Sequence, residues 1–162
     1  MTAPADEPRV WTILVPAPAT WLTANRELEP LHRSRIVRAW RRAVVRACEH
    51  EDLPKGLPGP VRIQAVIQYA GQRPPVRDAS NLAPTIKACI DGLGPSRPVR
   101  RRDGTIGQTH GYGLLVDDSD RVIPKLPTWR LEPMPIGGGE TVGRVVIRIT
   151  DNSPARLFDQ QP

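Results

Sequence analysis

Asp78, Asp91, Asp117, Asp118 and Asp120 are the residues whose type and spacing point to chemistry. Asp78 and Asp91 lie in Arg77–Leu93, RDASNLAPTIKACIDGL; the other three crowd into Leu114–Ile123, LLVDDSDRVI, directly after a short apolar run. Carboxylates clustered without a cation repel, and repulsion raises the pKa of at least one of them. A divalent ion removes that cost. Mg2+ takes oxygen ligands, keeps several waters and supplies a Lewis acid for phosphate chemistry; Mn2+ is expected to substitute for it. The candidate metal ligands are therefore Asp78, Asp117, Asp118 and, as a recruit, Asp91, with Asp120 as a further possibility. Adjacent aspartates cannot point the same way on an extended backbone, so one of Asp117 and Asp118 is the nearer ligand, and either can fill that place. Lys87 completes the catalytic set with Asp78, Asp117 and Asp118. It can stabilise charge developing on a phosphorane or orient the attacking water; four residues before Asp91, it can equally pair with that carboxylate. The plainer alternative for the aspartates is a helix cap at Asp78 and a turn at Asp117–Asp120, both common places for aspartate.

An acidic cluster in a basic chain suggests cations held against a polyanion. Lys and Arg number 23 against 17 Asp and Glu, a formal charge of +6, and only Lys55, Lys87 and Lys125 are lysines. Arginine is the side chain suited to forked phosphate contacts. Arg35, Arg38, Arg42 and Arg46 recur at spacings that put like charges side by side on one helix face, at a cost of a few tenths of a kcal/mol per pair. They are either a ridge that tracks phosphates, which offsets the cost, or a solvated face. Arg97, Arg100, Arg101 and Arg102 form a second basic cluster. His32, His50 and His110 are scattered without ligand spacing, which argues against zinc. No P-loop, dinucleotide fingerprint or nucleophile elbow is present.

The elements that must position these groups follow from periodicity. Val10–Val15 is apolar on both faces and is expected as a central or near-central strand. A Pro-rich loop follows, in which Trp21 and Asn25 are either a lid over the site or a core plug and a turn cap. Leu31–Glu49 is the clearest helix, with Ile36, Val37, Trp40, Val44, Ala47 and Cys48 on its apolar side. Val61–Tyr69 alternates strictly and reads as a half-exposed strand. Asn81 is positioned to cap the next helix, Pro84 suits its first turn, and Leu82, Ile86, Cys89, Ile90 and Leu93 make its buried face. Gly94–Tyr112 is either a mobile, DNA-contacting loop or a short hairpin around Asp103-Gly104. Leu114–Val116 and Val122–Leu126 are expected as brief strands, and Thr141–Thr150 as an alternating one after the turn GGGE. The order β-α-β-α-β-β-β predicts a two-layer α+β fold, a mixed sheet with its helices on one face. One domain, 9–150, is expected between disordered tails at 1–8 and 151–162. No apolar run is long enough to cross a membrane, no signal-peptide pattern opens the chain, and Cys48 and Cys89 read as buried thiols rather than a disulfide. A cytoplasmic protein without membrane contact is expected.

From Trp11 to about Ile149 the chain resembles the RusA-type Holliday-junction endodeoxyribonucleases. The resemblance rests on Asp78 and Asn81, on Lys87-Ala88-Cys89-Ile90-Asp91-Gly92-Leu93, on Asp117-Asp118, and on the opening Pro18-Ala19-Thr20-Trp21-Leu22-Thr23-Ala24-Asn25-Arg26. It implies a RusA-like fold, a homodimer, a bacterial, phage or prophage setting, and Mg2+-dependent cleavage of four-way junctions or other branched DNA in recombination and repair. It also implies that one of Asp117 and Asp118 fills the family's third acidic catalytic position. Arg35, Arg38, Arg42, Arg46, Arg100, Arg101, Arg102, Asn25 and Asn81 are then the expected DNA-binding residues. Two departures matter. The family usually reads Asp-x-Asp-Asn, and Ser80 stands where the second Asp would be. The family lysine often lies one turn nearer the Asp-Asn pair, where this chain has Pro84. A neutral hydroxyl is a poorer metal ligand than a carboxylate, so the alternative is a catalytically weak or inactive branched-DNA-binding protein.

Overall fold

The computed structural model describes residues 8–135 and 142–153. Of the expected tails at 1–8 and 151–162, residues 1–7 and 154–162 lie outside the described residues, as does the turn at 137–140, while Asp151 ends a strand and Asn152 N donates to Pro60 O at 3.0 Å. The elements run β1 (Arg9–Pro16), α1 (Pro30–His50), β2 (Val61–Tyr69), a 3-10 turn (Ala79–Leu82), α2 (Ala83–Leu93), β3 (Pro98–Arg100), β4 (Ile106–Gln108), β5 (Thr128–Pro133) and β6 (Arg144–Asp151). A four-stranded sheet has the order β1-β6-β2-β5, and β3 with β4 forms a separate two-stranded ribbon. Strands β1 and β2 flank β6 antiparallel, while β5 runs parallel to β2. The sheet is therefore mixed, as expected.

Alternation sets the layers. Ile13 and Val15 of β1, Val61, Ile63, Ala65 and Ile67 of β2, and Val145, Ile147 and Ile149 of β6 are buried with Ile36, Trp40, Val44 and Cys48 of α1 and most of α2. The opposite sheet face carries Arg62, Arg148 and Leu14 toward solvent. Each fully buried aliphatic side chain contributes about 1.5–3 kcal/mol, so this one-sided core is what fixes the two helices near the sheet. Gly92 lets the helices close: a Cβ there would stand 2.9 Å from Val44 Cβ and 3.1 Å from Arg41 O.

Four expectations are corrected. β1 is an edge strand, not a central one, and its outward residues Val10 and Leu14 stay 43% and 50% exposed. Leu114–Val116 is not a strand beyond a single parallel bridge between Leu57 and Leu115. Val122–Leu126 is turn and coil; the strand of this region is β5, six residues long, farther along the chain. Asn81 does not cap α2; Asp78 caps the 3-10 turn that leads into it, and α2 itself has no side-chain cap. Of the two readings of Gly94–Tyr112, the hairpin around Asp103-Gly104 is the one found. Cys48 and Cys89 are free and buried, and burial pushes the Cys48 thiol up to about 12. Among the described residues no helix is long and apolar enough to cross a membrane.

Candidate functional site

Asp78 stands in extended backbone at the mouth of the 3-10 turn, where its Oδ1 accepts from Ser80 N at 2.9 Å. That backbone donor holds its carboxyl below the usual range. Two long-range bonds fix the turn. Trp129 Nε1 of β5 donates to Ala79 O at 2.7 Å, and Ala24 N donates to Asn81 O at 2.8 Å. The second brings the exposed Asn25 turn beside Asn81. Trp21 is not a lid. Its ring packs on Trp40 with centroids 5.1 Å apart, and Thr85 Oγ1 accepts from Leu22 N and donates to Leu22 O, each at 2.9 Å. The Pro-rich loop is thereby zipped onto α2.

The second group centres on Lys87. Residues 113–116 are held between two anchors: Leu57 N donates to Leu114 O at 2.7 Å, and Leu115 N donates to Leu93 O at 3.2 Å. With Leu114 and Leu115 fully buried, Asp118 emerges beside α2. Lys87 Nζ lies 2.8 Å from Asp91 Oδ1 and 2.9 Å from Asp118 Oδ2. The expected pairing with Asp91 is present, and the same ammonium also pairs with Asp118. Arg41 of α1 binds Asp91 Oδ2, and Arg97 approaches Asp118 Oδ1 at 3.4 Å. Arg41, Asp91, Arg97, Thr109 and Asp118 line a cleft of about 150 Å³. Burial alone would lower the Lys87 ammonium, but hydrogen bonds to Asp91 and Asp118 outweigh it and leave its pKa raised. The hydrogen bond from Lys87 in turn lowers Asp118. Asp117 does not line this cleft: its Oδ1 accepts from Ser119 N at 2.8 Å, its Oδ2 lies 3.8 Å from Arg121 Nη2, and hydrogen bonding by Ser119 holds its carboxyl low. Asp120 is exposed.

The structure therefore brings Asp91, Lys87 and Asp118 together. Asp78 and Asp117 are each engaged in a local turn. Among the described residues, no three His, Cys, Asp or Glu side chains are grouped to hold a metal ion. The donor chemistry suits Mg2+, since carboxylate oxygens are its preferred protein ligands. The arrangement does not fit it: both oxygens of Asp91 and both of Asp118 already face Lys87, Arg41 or Arg97. An ion at this place must compete with those cationic side chains.

The expected DNA-binding arginines lie on surfaces that meet. Arg35, Arg38, Arg42 and Arg46 are exposed along α1, and Arg100, Arg101 and Arg102 are exposed on the hairpin. Arg42 Nε donates to His110 Nε2 at 3.0 Å, joining helix to hairpin base. Desolvation, then the charges of Arg42, Arg38 and Arg41, lower the His110 pKa, so the ring accepts this bond as the neutral form. Sequence reasoning missed Arg41 and Thr109. Arg41 sits between the arginine stripe and the apolar arc, half-buried, and only that intermediate phase could have marked it.

Compared with known proteins, the chain matches no family model and no curated protein.

Proposed function

We propose that this chain is a Mg2+-dependent, structure-specific endodeoxyribonuclease acting on four-way junctions or other branched DNA, with the resemblance to RusA-type resolvases as its starting point. One observation carries the reading: Asp91 and Asp118, both paired with Lys87, line a cleft together with Arg41 and Arg97, where the arginine ridge of α1 meets the arginine-rich hairpin. Phosphate-tracking arginines would lead a backbone to the cleft, with the salt dependence that counterion release imposes. Lys87 then stands where it can stabilise charge on a reacting phosphate. Mg2+ would have to displace Lys87, Arg41 or Arg97 from Asp91 and Asp118 before it could supply Lewis acidity and a water of lowered pKa there. A homodimer would offer two equivalent sites to a two-fold junction. The test is a synthetic mobile four-way junction incubated with folded protein in Mg2+, Mn2+ or EDTA. Paired nicks in the metal lanes, absent with EDTA and lost in Asp118→Asn, are expected; uncut junction in every lane would reject catalysis.

A second reading, a catalytically weak or inactive junction-binding protein, is favoured by a specific observation. Lys87, Arg41 and Arg97 occupy the oxygens of Asp91 and Asp118, and Ser80 supplies no charge beside Asp78. Salt-sensitive junction binding without cleavage would select it.

A further inference from the structure

We propose that the β3–β4 hairpin is a branch-point wedge, in which Ile106, steered by neighbouring arginines, enters between base pairs where duplex arms meet. The inference rests on the branched-DNA reading above. The ribbon shares no strand with the main sheet, and a lone two-stranded hairpin is marginal without local reinforcement. Here the reinforcement is visible. Gly104 takes φ +83°, which closes the turn in which Arg101 N donates to Thr105 O at 2.8 Å. Asp103 Oδ1 accepts from both Thr105 N and Thr105 Oγ1. At the base, Arg97 N donates to Thr109 Oγ1 and Thr109 N to Arg97 O, each at 2.8 Å. The arm is therefore built to hold its shape while standing clear of the core, and its base is tied to the cleft through Arg97 and Asp118.

Its two faces differ. Arg101 is folded back across the ribbon, since a Cβ on Gly107 would meet Arg101 Nε at 2.7 Å. Gly107 pairs with Val99, so that face is partly covered. Arg100 pairs with Ile106, and directly opposed residues share a face. Ile106 is 75% exposed there, forgoing much of the roughly 1.5–3 kcal/mol that its burial would contribute. The arginines decide what covers it. A second copy of this chain would bring Arg97, Arg100, Arg101 and Arg102 against themselves, whereas a nucleic-acid backbone complements them. From Arg97 to Arg100 the arm extends roughly 10 Å at the usual strand rise, and a two-stranded ribbon fits a DNA groove. Apolar wedges such as Ile enter base steps at an unstacking cost of a few kcal/mol. That cost is lower where a branch already interrupts stacking.

The experiment places the fluorescent adenine analogue aminopurine at the branch of a four-way junction. The full chain is added in EDTA, and anisotropy is followed with aminopurine emission. Wild type is expected to bind and to raise the emission. Ile106→Ser should bind with affinity close to wild type, melt at the same temperature and lose the rise; Ile106→Leu should keep it. Arg100→Ala with Arg102→Ala should weaken binding and flatten its salt slope by about one for each phosphate no longer neutralised. Ile106→Ser with a full emission rise overturns the wedge while leaving DNA binding intact. So does a change confined to sedimentation of the free protein, which would make a second copy the occupant. Wild type that binds no DNA overturns both the wedge and the function on which it rests.

Discussion

Lys87 Nζ stands 2.9 Å from Asp118 Oδ2 although the two residues are 31 apart in sequence, and the same ammonium touches Asp91. One lysine charge therefore fills the space that would otherwise hold two facing carboxylates. In Lys87→Met that repulsion is exposed, and a divalent cation becomes the most direct way to relieve it. Mn2+ affinity, followed by electron paramagnetic resonance, is expected to rise several-fold while junction cleavage falls. Unchanged Mn2+ affinity would mean that Lys87 and the ion do not compete. Stability should drop by less than about 1 kcal/mol, because the Lys87 side chain is 61% exposed and its pairs are screened.

Acid should remove part of this pairing in a predictable direction. Hydrogen bonding from Lys87 lowers Asp118, and hydrogen bonds from Ser80 and Ser119 lower Asp78 and Asp117. A carboxyl whose folded pKa lies below its unfolded value stabilises the fold above the unfolded pKa, about 3.9 for Asp. That contribution disappears as pH falls through the folded value. Lys87, shifted upward, loses its share only on the alkaline side, as pH rises from about 10.4 through its folded pKa. Urea midpoints of wild type and Lys87→Met should therefore differ near neutrality and converge in strong acid. A constant gap across that range would show that the Asp118 pair contributes nothing to stability.

The phase of α1 gives a prediction independent of chemistry. Trp40 is fully buried, packs on Trp21 and donates to Thr20 O at 3.3 Å. Trp40→Ala should cost about 3–5 kcal/mol in chemical denaturation. Arg38→Ala, on the exposed side, should stay within about 0.5 kcal/mol while lowering DNA affinity and its salt dependence. The reverse order of stabilities would contradict the helix packing described.

What was legible in the sequence, and what was not, divides along physical lines. Val61–Tyr69 and the strand expected at Thr141–Thr150, found as Arg144–Asp151, are legible because one face of each meets the core and the other meets water. Val10–Val15 misled because every position is apolar or neutral, which looks like burial on both faces; the fold instead leaves Leu14 half-exposed at an edge. β5 escaped because an edge strand tolerates Arg130 and Glu132, and their charge hides its period. The aspartates were legible as a set but not as a geometry. Asp118 meets Lys87 only because Leu115 N finds Leu93 O. Arg41 meets Asp91 only because Gly92 lets α2 close on α1. Contacts of that range leave no local pattern.

Ser80→Asp tests the proposed nuclease reading at the position where the resembled family usually carries an aspartate. Ser80 is exposed, and its backbone N–H already binds Asp78 Oδ1, so an aspartate there enters the same turn as Asp78. Two carboxylates so close repel in the absence of a cation. The variant should melt slightly below wild type in EDTA and regain the difference in Mg2+, since a ligand that binds only the folded state stabilises it by mass action. Wild type, lacking that carboxylate, should show the smaller Mg2+ shift. Cleavage of the four-way junction should rise in the same variant, and Asp78→Asn combined with Ser80→Asp should abolish both gains. A Mg2+-dependent melting shift without any gain in cleavage would leave an ion site that is not the catalytic one. Neither effect, in protein shown to be folded, would remove Asp78 and Ser80 from the candidate metal ligands and leave Asp91 and Asp118, whose oxygens face Lys87, Arg41 and Arg97.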